Sequence, residues 1–375
     1  MKTKVLTLMT ALALVCTASF GNGKTTEEPA ADSRFTFVGR VEKTDGNVSF
    51  DWTGVYARIK FEGSSLSMTV SDTKKNYYNV WIDKTTDQPA DKVVSTFGKD
   101  SLVVIVSPED LKAIYGKKLP KTPHNVIITK RTEGEQGTTT VKSFTTDGAF
   151  LQAEPMKERM IEFIGDSYTC GYGTEGASAR ERFRPETENQ NLAYEAVVCR
   201  YFNADYFVVA HSGMGIARNY NDNVKGWYMP ERYMQTYDMV RESKWNFAKS
   251  DFKPAMTVIL LGANDFSTGR QPKFDVWKDQ YVTLIKEIKE AYGKDHPILC
   301  CSPKGAPDVF DYIKSMVEVC GYTNVHYMGY FQKVFAENEF GSDFHPNYEG
   351  HKKYAHSVIP YISTITGWPM RGDIK

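Results

Sequence analysis

In VYARIKFEG, residues 55–63, Val55, Ala57, Ile59 and Phe61 alternate with Tyr56, Arg58, Lys60 and Glu62. A period of two marks a strand with one face turned inward. Further short runs follow: SLSMTV, YYNVWID, SLVVIV, NVIITKR and TTVKSF. Turn signals such as Asp45-Gly46 and Asp147-Gly148 separate them, and only Pro108 to Gly116 reads as helix. Many short strands with little helix predict a β-sandwich of jelly-roll type over residues 34–152.

After Pro155 the rhythm changes. Apolar strands (MIEFIG, YFVVAHSG, MTVILLGAND, PILCCSP, NVHYMG) alternate with helical stretches. In Val276 to Tyr292, for example, Val282, Ile285 and Ile288 fall on one side with Leu284 and Ala291. This alternation predicts an α/β domain over 155–375, a parallel sheet flanked by helices. Ligands of such sheets bind beyond the carboxyl ends of the strands.

The N-terminus adds a processing signal. Lys2 and Lys4 precede an apolar stretch, Val5 to Val15, and then the small residues Thr17, Ala18 and Ser19. Residues 1–21 therefore read as a signal peptide, with lipidation at Cys16 as the alternative, and 22–33 as a flexible linker. No other segment has membrane-spanning length. Lys plus Arg equals Asp plus Glu at 46 each, so no long-range field points to nucleic acid. Without Cys16 five cysteines remain, with no C-x-x-C, which indicates neither a disulfide framework nor a zinc ribbon. Aromatics are abundant, with 22 Tyr, 21 Phe and 6 Trp, and such rings serve cores and also stack on sugars.

The stretch FIGDSYTCGYGTEG, residues 163–176, supports two readings. Gly171, Gly173 and Gly176 spell G-x-G-x-x-G, but Gly171 stands seven residues past Ile164. The next strand also ends in His and Ser rather than an acidic residue, so a dinucleotide site lacks its context. Ser167 instead sits three residues past a strand, at a tight turn into a helix. There its own N–H is available to a developing negative charge. Gly213 in HSGMG and Asn264 in LGAND stand past the next two strands and supply two further donors. The ordinary roles of these residues are an N-cap, a positive-φ turn and an Asx turn. Near the C-terminus, GSDFHPNYEGH places His345 before Pro346 in a loop, with Asp343 beside it, as a general base requires. His351 and His356 fall on the following helix and read as solvated.

Gly-Asp-Ser (165–167), Gly213, Gly-x-Asn-Asp (262–265) and His-Pro (345–346), in this order, resemble the four blocks of the SGNH, or GDSL, hydrolase superfamily. FVGRV (37–41), FDWTGVYARIKFEG (50–63), SGMGIARNY (212–220) and DFHPNYEGH (343–351) are similar to carbohydrate esterase family two. The resemblance implies a flavodoxin-like catalytic domain behind the jelly roll. It implies Ser167 as nucleophile, His345 as base, and an oxyanion hole of Ser167 N–H, Gly213 N–H and the Asn264 amide. It leaves two candidates to orient His345, the Asp343 carboxylate or a backbone carbonyl. Asp343 stands two residues before His345, where many superfamily members place the acid three before, and Phe344 replaces the family's frequent Trp. The implied activity is removal of O-acetyl groups from xylan, mannan or glucomannan by an exported enzyme needing no metal or cofactor. Trp227, Trp277 and Phe344 are the candidate sugar contacts. A lipid-directed esterase or thioesterase would share the same catalytic residues, and a non-catalytic carbohydrate-binding protein is the rival of another class.

Overall fold

The computed structural model describes residues 25–117, 123–223, 225–303, 306–329 and 335–372. The expected signal peptide lies outside them. The first half forms a ten-stranded antiparallel sheet. Its strands are β1 (Thr26–Pro29), β2 (Thr36–Val38), β3 (Glu42–Thr44), β4 (Asn47–Phe50) and β5 (Tyr56–Phe61), then β6 (Leu66–Ile82), β7 (Lys92–Val106), β8 (His124–Lys130), β9 (Thr139–Thr146) and β10 (Phe150–Leu151). The long β6 pairs with β9 through its first part and with β8 through its last, and its ladder with β7 shifts register between Asp72 and Asn76. This change of partner curls the sheet into the expected jelly-roll-like form. The helix α1 (Pro108–Tyr115) is capped by Ser107, whose side chain accepts from Asp110 N–H.

One expectation here is corrected. Part of the supposed linker is strand β1, antiparallel to β9 with Thr26 opposite Thr146 and Pro29 opposite Ser143. Its polar sequence hid the strand because the pairing runs through the backbone. Thr26 Oγ1 also donates to Gly148 O at 2.6 Å, and Ser143 Oγ donates to Glu27 at 2.6 Å.

The second half is a five-stranded parallel sheet in the order β12-β11-β13-β14-β15. The strands are β11 (Met160–Gly165), β12 (Asp205–Ala210), β13 (Met256–Leu260), β14 (Ile298–Cys301) and β15 (Val325–Tyr327). All residues of β11, β12 and β13 are buried, as a sheet covered on both faces requires. Its helices are α2 (Ser167–Cys170), α3 (Tyr194–Phe202), α4 (Met229–Tyr233), α5 (Phe274–Tyr292), α6 (Pro307–Val319) and α7 (Tyr348–Thr366). As the periodicity predicts, α5 buries Leu284, Ile285 and Ile288. None of the helices described is long and apolar enough to cross a membrane. Cys170, Cys199, Cys300, Cys301 and Cys320 are free and buried.

Both faces of β5 are covered. Val55 and Ile59 point into the β-domain as the alternation predicts, yet Tyr56 and Arg58 are buried too. Arg58 pairs with Asp205 of the second half at 2.5 Å, and the Tyr56 and Tyr206 rings lie 5.2 Å apart. The expected solvent face is a contact between the halves.

Candidate active site

The parallel register sets the site. Gly165 lies opposite Ala210 of β12 and opposite Leu260 of β13. The three loops that follow therefore open at one carboxyl edge, flanking the central strand where the strand order reverses. Ser167 begins α2, whose N-cap Asp166 accepts from Tyr168 N–H at 3.1 Å. Burial pushes the Asp166 carboxyl up to about 7. Neither the Ser167 nor the Gly213 N–H has an acceptor among the described residues. Asn264 ties the three loops together, its amide donating to Asp166 Oδ2 at 3.1 Å and to Met214 O at 2.8 Å. Both amide hydrogens are thus engaged, and serving a substrate oxygen requires sharing one of them. The neighbouring Asp265 accepts the N–H groups of Ile216, Ala217 and Arg218 at 2.8–2.9 Å, fixing the loop beyond Gly213.

His345 arrives from the far end of the chain. Its Nε2 lies 2.8 Å from Ser167 Oγ. Its Nδ1 lies 3.0 Å from the backbone carbonyl of Asp343, which fixes the tautomer: Nδ1–H donates to the carbonyl and Nε2 accepts from the serine hydroxyl. Burial holds the imidazole below its ordinary 6.5, opposed by the adjacent Asp343. The Tyr172 ring lies 4.4 Å from the imidazole and stacks on Phe183 at 3.9 Å and 15°.

The glycines of 171–176 take up a packing role. A Cβ on Gly173 would come 2.6 Å from Ser342 Cβ, and one on Gly176 would come 2.2 Å from Ser342 Oγ. Ser342 N–H donates to Gly173 O at 2.9 Å, and His345 N–H donates to Ser342 O at 3.0 Å. The G-x-G-x-x-G stretch is therefore the bed on which the His345 loop lies.

Three expected residues stand otherwise. The Asp343 carboxylate does not reach the imidazole; it accepts from Phe183 N–H at 2.9 Å and from Tyr172 Oη at 3.3 Å. Trp277 is 0% exposed, packed on Tyr281 and Tyr312 in the core, and offers no face to a sugar. Its place on the inward side of α5 decides this. The Trp227 ring carries the guanidinium groups of Arg232 at 3.8 Å and Arg241 at 4.7 Å, so its π-surface is occupied. Phe344, by contrast, is 62% exposed beside His345. Sequence reasoning passed over Tyr172, whose N–H donates to Ser167 O and whose ring meets His345 when the chain returns, and Glu133, which comes from the other half.

Known proteins resemble the chain in sequence and in fold. Residues 163–353 match the family described as GDSL-like lipase/acylhydrolase, and residues 37–155 match the carbohydrate esterase 2 N-terminal domain. The chain belongs to the GDSL-like lipase/acylhydrolase family and carries the N-terminal domain of carbohydrate esterase 2 in front of it. It is 30% identical over 343 residues to a cellulase/esterase of Acetivibrio thermocellus, covering 88% of this chain but only 39% of that protein's length. It is 27% identical to an acetylxylan esterase/glucomannan deacetylase of Cellvibrio japonicus, covering 85% of this chain and 86% of the relative. Among solved structures, a family two carbohydrate esterase from Clostridium thermocellum in complex with cellohexaose aligns with TM-score 0.80 and 29% identity, over 89% of this chain and 100% of that one.

Proposed function

We propose that this chain is an exported serine esterase that removes O-acetyl groups from plant polysaccharides such as xylan, mannan or glucomannan. In this reading residues 1–21 are a cleaved signal, 34–152 the β-domain and 155–375 the catalytic domain. The hydrogen bond between Ser167 Oγ and His345 Nε2 at 2.8 Å carries it. His345 takes the serine proton as Oγ attacks the acetyl carbonyl. The oxyanion meets Ser167 N–H, Gly213 N–H and the Asn264 amide, where losing one donor costs about 3 kcal/mol of barrier. Collapse breaks the ester bond, and His345 returns the proton to the departing sugar oxygen. Water then attacks the acetyl-serine as His345 takes its proton; the bond from Oγ to the acetyl carbon breaks, His345 returns the proton to Ser167 Oγ, and acetate leaves. Exposed Phe344 offers a ring at the mouth of the site for a sugar face. The names of the matched esterases support the acetyl and polysaccharide parts of the reading.

Ser167→Ala is expected to abolish acetate release from acetylated xylan and from 4-nitrophenyl acetate while the unfolding midpoint stays within a few degrees. Unchanged turnover would end the serine reading. Faster turnover of long acyl chains than of acetyl by the wild type would move the substrate class to lipids.

A further inference from the structure

The loop that carries Gly213 is held by a residue of the other half of the chain. Glu133, in the connection between β8 and β9, is 1% exposed. Its Oε2 accepts the Ser212 N–H at 2.7 Å and the Cys170 thiol at 3.5 Å. One partner stands immediately before Gly213, the other three residues past Ser167. Glu133 is fixed in turn, its own N–H donating to Glu188 Oε2 at 3.0 Å. Two residues on, Glu135 Oε1 lies 3.5 Å from Nε2 of His211, whose Nδ1 is 2.6 Å from Asp238. Between them Gly134 runs so close that a Cβ there would come 2.3 Å from the Asp238 carboxylate. The stretch 133–135 therefore grips His211 and Ser212 one after the other.

Gly213 needs such a hold. Its φ is +79°, and a Cβ built on it would meet only Tyr220 Cβ, at 3.6 Å, so side-chain packing does little to fix it. Its carbonyl is held by Tyr220 N–H at 2.8 Å. On the amino side the hold comes from Glu133. Oxyanion donors work because they are aimed before charge develops, and a buried carboxylate bonded to the adjacent amide fixes that aim. We propose that Glu133 is a positioning residue of the oxyanion hole, which makes the β-domain part of the catalytic apparatus. The proposal rests on the acyl-transfer reading, which wild-type turnover and its loss in Ser167→Ala test separately.

Three variants of the full chain decide it with 4-nitrophenyl acetate: Glu133→Ala, Glu133→Asp and Glu133→Gln. Asp keeps the charge but draws the oxygen back, whereas Gln keeps an oxygen at the same reach without the charge. The expected result is a kcat loss of about 10- to 100-fold in the Ala and Asp variants, with KM within about twofold, and recovery of most of that loss in Gln. Affinity for phenylboronic acid, whose serine adduct is tetrahedral, should fall in step with kcat. Folded Ala and Asp variants with wild-type kcat would overturn the proposal. So would a loss in Gln as large as in Asp. Should Glu133→Ala fail to fold, the comparison of Asp with Gln carries the decision.

Discussion

His345 Nδ1 has two acceptor groups of Asp343 to choose from, the carboxylate and the backbone carbonyl, and it takes the carbonyl. The local backbone explains this. Asp343 and Phe344 both adopt left-handed conformations, with φ of 47° and 60°, a turn that brings the Asp343 carbonyl to the imidazole. The carboxylate is spent on Phe183 N–H and Tyr172 Oη, which tie down the neighbouring loop. Asn tolerates left-handed φ as well as Asp does and keeps an acceptor oxygen. Asp343→Asn should therefore retain kcat/KM within about fivefold, whereas loss of a true triad carboxylate costs about 10⁴. Steady-state rates on 4-nitrophenyl acetate separate these outcomes, and a loss near 10⁴ would restore the carboxylate to the triad. The same histidine sets a pH limit. Burial disfavours its charged form and holds its pKa below 6.5, and only the neutral ring can take the serine proton. As pH falls through that lowered pKa, kcat/KM should fall, with a midpoint below 6.5. A midpoint above 6.5 would mean that the imidazolium is stabilised in the free enzyme.

Among the elements, the decisive fit is that of the 171–176 turn under the loop of Ser342 to His345. Gly173 has φ +60°, and a methyl there would come 2.6 Å from Ser342 Cβ. Gly173→Ala must therefore strain the turn or displace His345. It should cost about 1–3 kcal/mol of stability and lower kcat more than KM rises. Thermal unfolding and steady-state kinetics would show both effects, and a variant matching wild type in each would mean that the two loops are not docked. The elements that carry Ser167, Gly213 and Asn264 were legible in the sequence because period and turn chemistry locate strand ends, and these residues follow β11, β12 and β13; His345 was legible from Pro346 and the helix behind it. What stayed hidden depends on contacts between distant segments. His351 falls on a helix and reads as solvated, yet it is 1% exposed. Trp277 and Trp227 read as sugar contacts because composition shows aromatics but not which way they face. Glu133 carries no motif; the packing of one half on the other gives its carboxylate its partners, Ser212 N–H and the Cys170 thiol.

At the scale of the molecule, that packing is polar as well as apolar. Arg40 of the first half is 0% exposed, inserted among second-half rings. Its guanidinium lies 4.9 Å from the Tyr233 ring centroid, 5.2 Å from Phe247 and 5.7 Å from Trp245. It donates to the carbonyls of Tyr233 and Gln235 and stands 3.8 Å from buried Glu162. Nearby, Asp51 accepts Asp238 N–H at 2.8 Å and Met239 N–H at 3.0 Å, and Trp52 Nε1 donates to Thr236 O at 3.0 Å. None of these groups can return to water unless the halves separate, and separation would strand each half's buried donors and acceptors. The two halves should therefore unfold as one unit, although a chain of this size often behaves as two. Urea titrations followed by tryptophan fluorescence and by far-ultraviolet circular dichroism should give coincident transitions. Arg40→Ala should lower the unfolding free energy by about 3–5 kcal/mol, because it empties the cage and leaves Glu162 without its cation. The coincidence of the two probes should survive in that variant, since Arg58–Asp205 and the Asp51 contacts still join the halves. Two resolved transitions in the wild type would show instead that the β-domain folds alone, and the hydrogen bond from Ser212 N–H to Glu133 would then rest on docking rather than on a shared core.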